Sequence, residues 1–205
     1  MGTVKAHWQR VYRTKDPTTV SWYQPSPETS MAMIRSTGVA ADAPLIDVGG
    51  GASTLVDSLL QSGYTDVSVL DVAGEALAHA RRRLGAAAAT VTWLEADVAA
   101  FAPERRYRLW HDRAVFHFLT EAADVGRYLE VLGTALLPAG HFVLATFGPE
   151  GPKRCSGLDV HRYSIDELAG LLGGAFDLCS HEREDHTTPS GNRQQFLYSW
   201  WQAKT

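Results

Sequence analysis

The sequence predicts an α/β fold: a mostly parallel seven-stranded sheet with helices on both faces and an antiparallel hairpin at its C-terminal end. Three observations carry this. Short apolar runs alternate with longer amphipathic segments across residues 45–147, the pattern of parallel strands joined by helical crossovers. The run Leu45-Ile46-Asp47-Val48 leads directly into Gly49-Gly50-Gly51 and then a helix start. The last two extended runs are separated only by Thr188-Pro189-Ser190-Gly191-Asn192, and a loop that short can join only antiparallel strands.

The elements follow in order. An aromatic segment at 5–13, with His7, Trp8 and Tyr12, precedes a polar linker and Ser21-Trp22-Tyr23-Gln24. With Ser26 as cap, Pro27 suits the first position of a helix over 27–36, where its missing N–H is not needed. A strand at 45–48 and a helix at 53–61 come next, then a strand at 66–70 and a helix at 74–84. A strand at 90–94 leads through Glu95-Ala96-Asp97-Val98 to a strand at 107–111. Helices are expected near 114–119 and over 121–137, with Thr120 capping the second. Pro138-Ala139-Gly140 turns the chain into an apolar strand at 141–147. A glycine- and proline-bearing loop at 148–162 precedes a capped helix at 164–172, and the hairpin pairs 176–186 with 193–202.

Composition narrows the function classes. A chain of 205 residues with 45% hydrophobic content can bury one sizeable core. The net charge is −4 and the arginines are scattered, so no attraction for nucleic acid is expected. Cys155 and Cys179 are too few for a disulfide framework and form no CxxC pair. The polar, aromatic N-terminus is unlike a signal peptide and no apolar run approaches spanning length. A soluble cytoplasmic protein without membrane association is expected. No metal-ligand spacing stands out, so metal-independent chemistry is expected.

The glycine junction indicates the ligand. Glycines there let the backbone approach a molecule that a Cβ would block, and the helix N-terminus offers free N–H groups. Asp71 ends the next strand, about twenty residues beyond Gly51, which is the separation of a carboxylate that binds a ribose at a strand switch point. A plain tight turn is the alternative for three glycines, and Asp71 argues against it. A dinucleotide fingerprint would place a third glycine where Thr54 stands.

Asp47-x-Gly49-x-Gly51-x-Ser53 instead resembles motif I of the class I S-adenosylmethionine-dependent methyltransferases, which have a Rossmann-like sheet. The resemblance extends over about residues 45–201 and implies S-adenosylmethionine as cofactor and S-adenosylhomocysteine as product. It implies that Gly49 and Gly51 line the methionine portion, with Asp47 orienting the turn and meeting the ammonium directly or through water. Asp71 would accept from both ribose hydroxyls, a role compatible with capping the next helix. Asp97 would take the adenine amine, the Val98 N–H a ring nitrogen, and Val72 would pack on the adenine face or serve as an ordinary core valine. The resemblance also implies one domain over 1–205, with an N-terminal cap segment at 1–40 and a cofactor-binding core at 41–205. Trp8, Tyr12, Trp22 and Tyr23 would then close over the cofactor, with Trp22 contributing to its site, or else pack a peripheral helix on the sheet edge.

The fourth strand ends in Trp110-His111-Asp112-Arg113-Ala114-Val115-Phe116-His117-Phe118, where the family places residues nearest the transferred methyl group. There is no Asn-Pro-Pro-Tyr, the signature of methylation at amide or nucleobase nitrogens. Trp110–Arg113, Cys155-Ser156-Gly157-Leu158 and Thr188-Pro189-Ser190-Gly191 together resemble a subgroup of small bacterial methyltransferases. Methyl transfer is an in-line displacement that needs an aligned nucleophile, excluded water and, for a weak nucleophile, a base. His111, Asp112 and Arg113 are the candidate catalytic residues, with Arg113 a clamp for an anionic substrate. The alternative is an Asp112–Arg113 pair that only orders the loop, and His111 depends on a strand register that sequence does not fix. His117 lies on an apolar stretch and reads better as a satisfied core histidine than as a base. The basic loop at 148–163 suits a substrate lid or a solvated surface. Arg81, Arg82 and Arg83 read as a solvated helix face, and two cysteines are too few for a three-thiolate arsenic site.

The leading expectation is methyl transfer to a small-molecule acceptor, for which the basic loop and Arg113 leave an anionic group as one option. Protein lysine methylation is the second reading, since His7-Trp8-x-x-x-Tyr12 and Ser21-Trp22-Tyr23-Gln24 also resemble a group of lysine methyltransferases. A non-catalytic S-adenosylmethionine-binding protein is the third. Thr54 and the terminal hairpin place a dehydrogenase last. The sequence leaves the oligomeric state open.

Overall fold

The structure, a computed structural model, describes residues 4–205. The helices are α1 (Val4–Thr14), α2 (Glu28–Ser36), α3 (Leu55–Gln61), α4 (Gly74–Leu84), α5 (Ala122–Ala135) and α6 (Ile165–Leu172). The strands are β1 (Leu45–Val48), β2 (Val67–Asp71), β3 (Val91–Glu95), β4 (Tyr107–Arg113), β5 (Leu136–Phe147), β6 (Arg154–Cys155), β7 (Leu158–Asp159), β8 (Phe176–Thr187) and β9 (Arg193–Ala203). Seven of them form one sheet in the order β3-β2-β1-β4-β5-β9-β8. β1 to β5 are parallel, and β9 runs antiparallel between β5 and β8. This is the expected α/β, Rossmann-like arrangement with its C-terminal hairpin. β6 and β7 form a separate two-residue ladder inside the loop at 148–162, which the sequence pattern did not reveal.

Both faces of the parallel strands are covered, which is why β1 and β2 read as continuous apolar runs. Ile46, Val48, Trp110 and Phe142 pack against Tyr128 and Leu132 of α5 and Leu168 of α6. Leu45, Val67, Val69 and Leu109 pack on the other face with Ile34 of α2, Leu55 and Leu59 of α3, and Leu77 of α4. The winding reverses between β1 and β4, so the C-terminal ends of those two strands open a crevice.

Several local expectations are corrected. α2 begins at Glu28 with Pro27 in the cap position, and the Ser26 hydroxyl donates to the Glu28 carboxylate instead of capping. α3 begins at Leu55, whose N–H is taken by the Ser53 hydroxyl. The helix expected at 114–119 is only a 3₁₀ turn, Phe116–Phe118. Ala114 sits in the left-handed region at φ 70°, and Asp112 accepts the Val115 and Phe116 N–H groups, which closes a single turn. α5 is not capped by Thr120: Glu121 holds the cap position without a side-chain bond. β5 begins at Leu136 instead of 141. Pro138-Ala139-Gly140 still bends the chain, as an excursion between the pairs Tyr107–Leu136 and Leu109–His141, with Ala139 at φ 54°.

Candidate active site

The site is built on the turn after β1. Gly49 adopts φ 68°, and a Cβ there would lie 2.0 Å from the Val115 Cγ2. Gly51 adopts φ 33°, and a Cβ there would lie 2.4 Å from the Asp71 Oδ2. Both positions therefore need glycine for space as well as for conformation. Asp71, the last residue of β2, is 6% exposed, and its Oδ1 accepts the Ala73 N–H at 2.8 Å. Burial pushes its carboxyl up to about 7. The Ala73 N–H opposes that rise, while Asp47 and Glu95 add to it.

A cavity of about 460 Å³ runs along the C-terminal edge of the sheet. On the β1–β3 side its walls include Gly49, Asp71, Val72, Asp97 and Val98; on the β4–β9 side they include Arg113, Phe118, Phe147, Cys155 and Phe196. Asp97 uses Oδ1 to accept the Ala99 N–H at 3.0 Å. Trp8, Tyr12 and Trp22 form the cover. Trp22 Nε1 donates to the Tyr12 hydroxyl at 3.1 Å, and Trp8 meets Trp22 and Phe118 edge-on at 5.6 and 5.2 Å. α1, which carries Trp8 and Tyr12, is tied to the body by Lys5–Glu95 (2.6 Å), by Gln9 accepting the Glu75 N–H, and by His79 donating to the Tyr12 carbonyl.

Beneath the glycine turn lies a second, small cavity bordered by Ser30, Asp47, Gly49, Gly50, His111, Arg113 and Trp22. The register Asp47–His111 and Val48–Asp112 settles which way the polar triplet points. Paired residues share a face of the sheet, so His111 meets Asp47, and Asp112 faces α5. His111 Nδ1 lies 2.7 Å from Asp47 Oδ1, and its Nε2 lies 2.9 Å from the Ser30 hydroxyl. Asp47 Oδ2 is buried without a partner.

Asp112 borders neither cavity. It is fully buried and accepts from the Tyr128 hydroxyl at 2.7 Å as well as from the two turn N–H groups. Burial pushes it up to about 6, against those bonds. The Asp112–Arg113 pair, the alternative reading of the two residues, does not form. Arg113 donates from Nε to the Tyr198 hydroxyl (2.8 Å) and from Nη1 to the Trp22 carbonyl (2.9 Å), over the Phe196 ring at 4.4 Å. His117 is fully buried and pushed down to about 3, mainly by burial and further by Arg113, so it is neutral. Its Nδ1 accepts the Phe147 N–H but its Nε2 has no partner, so this core histidine is only half satisfied. Ser30, Tyr128, Phe196 and Tyr198 complete the site. They lie on α2, α5 and β9, far from the motifs in sequence, and no local pattern marks them.

Residues 45–140 match a family model described as a methyltransferase domain. Over that stretch the chain is similar to methyltransferase domains, and its sheet has the class I methyltransferase fold. Solved structures agree on that fold. The Burkholderia thailandensis 1,6-didemethyltoxoflavin-N1-methyltransferase, solved with that compound and S-adenosylhomocysteine, superposes with a TM-score of 0.73 at 19% identity, over 98% of this chain and 88% of its own. The N-methyltransferase NodS from Bradyrhizobium japonicum WM9, with S-adenosylhomocysteine, gives 0.72 at 14% identity over 98% of both chains. An S-adenosylmethionine-dependent methyltransferase from Anabaena variabilis gives 0.74 at 16% identity, over all of this chain and 96% of its own. At such identities the likeness is one of fold. Comparison with curated proteins gave no match. Among the described residues, no helix is long and apolar enough to cross a membrane, and no cluster of His, Cys, Asp and Glu is arranged to hold a metal ion.

Proposed function

We propose that this protein is a methyltransferase that moves the methyl group of S-adenosylmethionine to a small-molecule nucleophile. The observation that carries this is one continuous covered cavity joining the Asp71 carboxylate to an aromatic chamber at the ends of β4, β5 and β9. The residues fit the cofactor. Gly51 leaves clear the space beside Asp71 that a Cβ would fill, and Asp47 keeps a buried, unpartnered oxygen beside the turn. When bound, S-adenosylmethionine supplies an electrophilic methyl on a sulfonium whose departure leaves a neutral thioether.

The chain's own residues do the rest. Asp71 accepts from the ribose hydroxyls, Asp97 and the Val98 N–H hold the adenine with Val72 against its face, and Asp47 takes the ammonium. Gly49 and Gly51 let the backbone close on the methionine portion. Trp22, with Trp8 and Tyr12, covers the cavity and keeps water out. His111 has both ring nitrogens engaged, so its work is to fix Asp47. Asp112 holds the turn that carries Arg113, Ala114 and Val115. Of the His111-Asp112-Arg113 triplet, Arg113 alone borders the large cavity, so catalysis rests on alignment and exclusion of water instead of on a base from this strand. We place the whole in one domain, the segment 1–40 capping the core 41–205, and in the cytoplasm, acting without nucleic acid or membrane.

Calorimetric titration with S-adenosylmethionine, S-adenosylhomocysteine and NADH tests the reading. Wild type should bind both sulfur nucleosides and not NADH. Asp71→Ala should weaken binding more than tenfold, about 1.4 kcal/mol for lost charge-assisted bonds. Unchanged affinity in the variant removes Asp71 from the site, and binding of NADH alone overturns the cofactor.

A further inference from the structure

We propose that the methyl acceptor is a planar aromatic or heteroaromatic molecule carrying an anionic oxygen, a carboxylate or an ionised ring oxygen, and that Arg113 holds that oxygen. The inference rests on the methyl-transfer reading above and names its substrate class.

The half of the cavity beyond Gly49 is walled by five rings, Trp8, Trp22, Phe118, Phe147 and Phe196. They meet edge to face: Trp8 with Trp22 at 85°, Trp8 with Phe118 at 77°, and Phe147 with Phe196 at 65°. Such a chamber gives a flat ring offset-stacked and edge contacts and gives a polar aliphatic molecule little.

Its charge is unbalanced. Besides Asp71 and Asp97, the carboxylates that border the cavity, Asp124 and Asp159, are already paired with Arg127 and Arg154. Arg113 has no such partner. No carboxylate among the described residues lies within ion-pair distance of it, and its two bonded nitrogens donate to neutral oxygens, the Tyr198 hydroxyl and the Trp22 carbonyl. Its third nitrogen, Nη2, is buried with no partner at all. Of the other groups around it, Glu184 is bonded by the Gln24 amide and Asp47, across the small cavity, by His111. Burial raises Cys155 to about 11 and lowers His117 to about 3, and Tyr198 is raised above its ordinary value, so all three are neutral near pH 7. A half-buried guanidinium with no carboxylate in ion-pair range and one unused nitrogen favours an anionic ligand oxygen, which gains charge-assisted bonds from it. The Phe196 ring, its centroid 4.4 Å from the guanidinium carbon, limits the movement of that group.

The test is calorimetry on protein saturated with S-adenosylhomocysteine, using indole-3-carboxylate, indole-3-carboxamide and cyclohexanecarboxylate as probes. Indole-3-carboxylate should bind at least tenfold more tightly than either of the others. Arg113→Met should abolish the preference over the amide, and Arg113→Lys should keep part of it. Equal binding of acid and amide, a preference that survives in Arg113→Met, or no binding of indole-3-carboxylate at millimolar concentration overturns the proposal. Equal binding of cyclohexanecarboxylate overturns its aromatic part. S-adenosylhomocysteine affinity is measured in both variants, and a loss below tenfold is expected in Arg113→Met because Trp22 loses its bond to the guanidinium. A large loss there would assign the guanidinium to the cofactor's carboxylate and overturn the proposal in another way. Failure of wild type to bind S-adenosylhomocysteine is read separately, in the first titration, and rejects the cofactor reading instead.

Discussion

A buried carboxylate is costly until donors reach it, and Asp71 is held at that cost beside a cavity. Its folded value of about 7 lies above the ordinary 3.8, chiefly through burial. The carboxylate, not the acid, accepts two hydroxyl donors, so S-adenosylhomocysteine should bind more weakly as pH falls below about 7. Between pH 8 and pH 6 the expected loss is roughly tenfold, levelling off above pH 8. Asp71→Asn, which cannot ionise, should bind weakly and show no slope; a slope that persists in the variant would place the titrating group elsewhere. For the unliganded protein the sign is opposite. A carboxyl whose folded value is raised contributes stability below its unfolded value and loses it as pH rises through about 7. Asp112 presents the contrast, since its partners are already in place. Tyr128→Phe leaves Asp112 Oδ2 and the Trp110 indole N–H without the hydroxyl they share. That should cost about 1–3 kcal/mol in urea unfolding. Affinity for S-adenosylhomocysteine should change less than twofold, and a large affinity loss with intact stability would return Asp112 to the site.

At the scale of elements, the covering helix α1 is held to the body by exposed or half-exposed polar contacts, by the buried Val11 and Tyr12, the latter against Ala73 and Ala76, and by one row of rings. Lys5–Glu95 and the weaker Arg13–Glu75 are surface pairs of small worth. The Trp8 contacts with Trp22 and Phe118 are worth about 0.5–1.5 kcal/mol each. Trp8→Ala should therefore speed release of S-adenosylhomocysteine several-fold in stopped-flow displacement while hardly moving the thermal midpoint, because the main core lies elsewhere. An unchanged off-rate would make α1 a bystander. The elements also show what could be read in advance. β1, β2, the glycine turn and the hairpin were legible because buried strands and tight turns restrict residue type locally. The turn at 116–118 was not, because its length is set by Asp112 accepting two N–H groups, and Asp112 faces that way only through pairing with β1. Thr120 looked like a cap because caps are read from residue type, whereas the backbone placed Glu121 there.

At the scale of the whole molecule, the site is assembled from segments that no local pattern connects. Ser30 on α2 reaches His111 on β4, His111 reaches Asp47 on β1, and Arg113 reaches Tyr198 on β9. Motif residues lay within one stretch and could be placed from sequence; the aromatic chamber and its partnerless cation depend on β9 inserting beside β5, which only the folded sheet shows. That assembly also bears on protein methylation, the reading the N-terminal aromatics left open. A protein acceptor must present its side chain through an open mouth, with backbone lying across the surface. Here the end of the cavity that would hold the acceptor is covered by Trp8 and Trp22 and flanked by the β6–β7 ladder, with Cys155 and Leu158 in its wall. A small ring can be enclosed there, whereas a polypeptide would have to displace the cover. Incubating a protein extract with methyl-labelled S-adenosylmethionine should then label no protein band, and label should appear in the small-molecule fraction supplied with aromatic acids. A discrete labelled protein band, absent with Asp71→Ala, would show that the cover opens for a polypeptide and make lysine methylation the better reading.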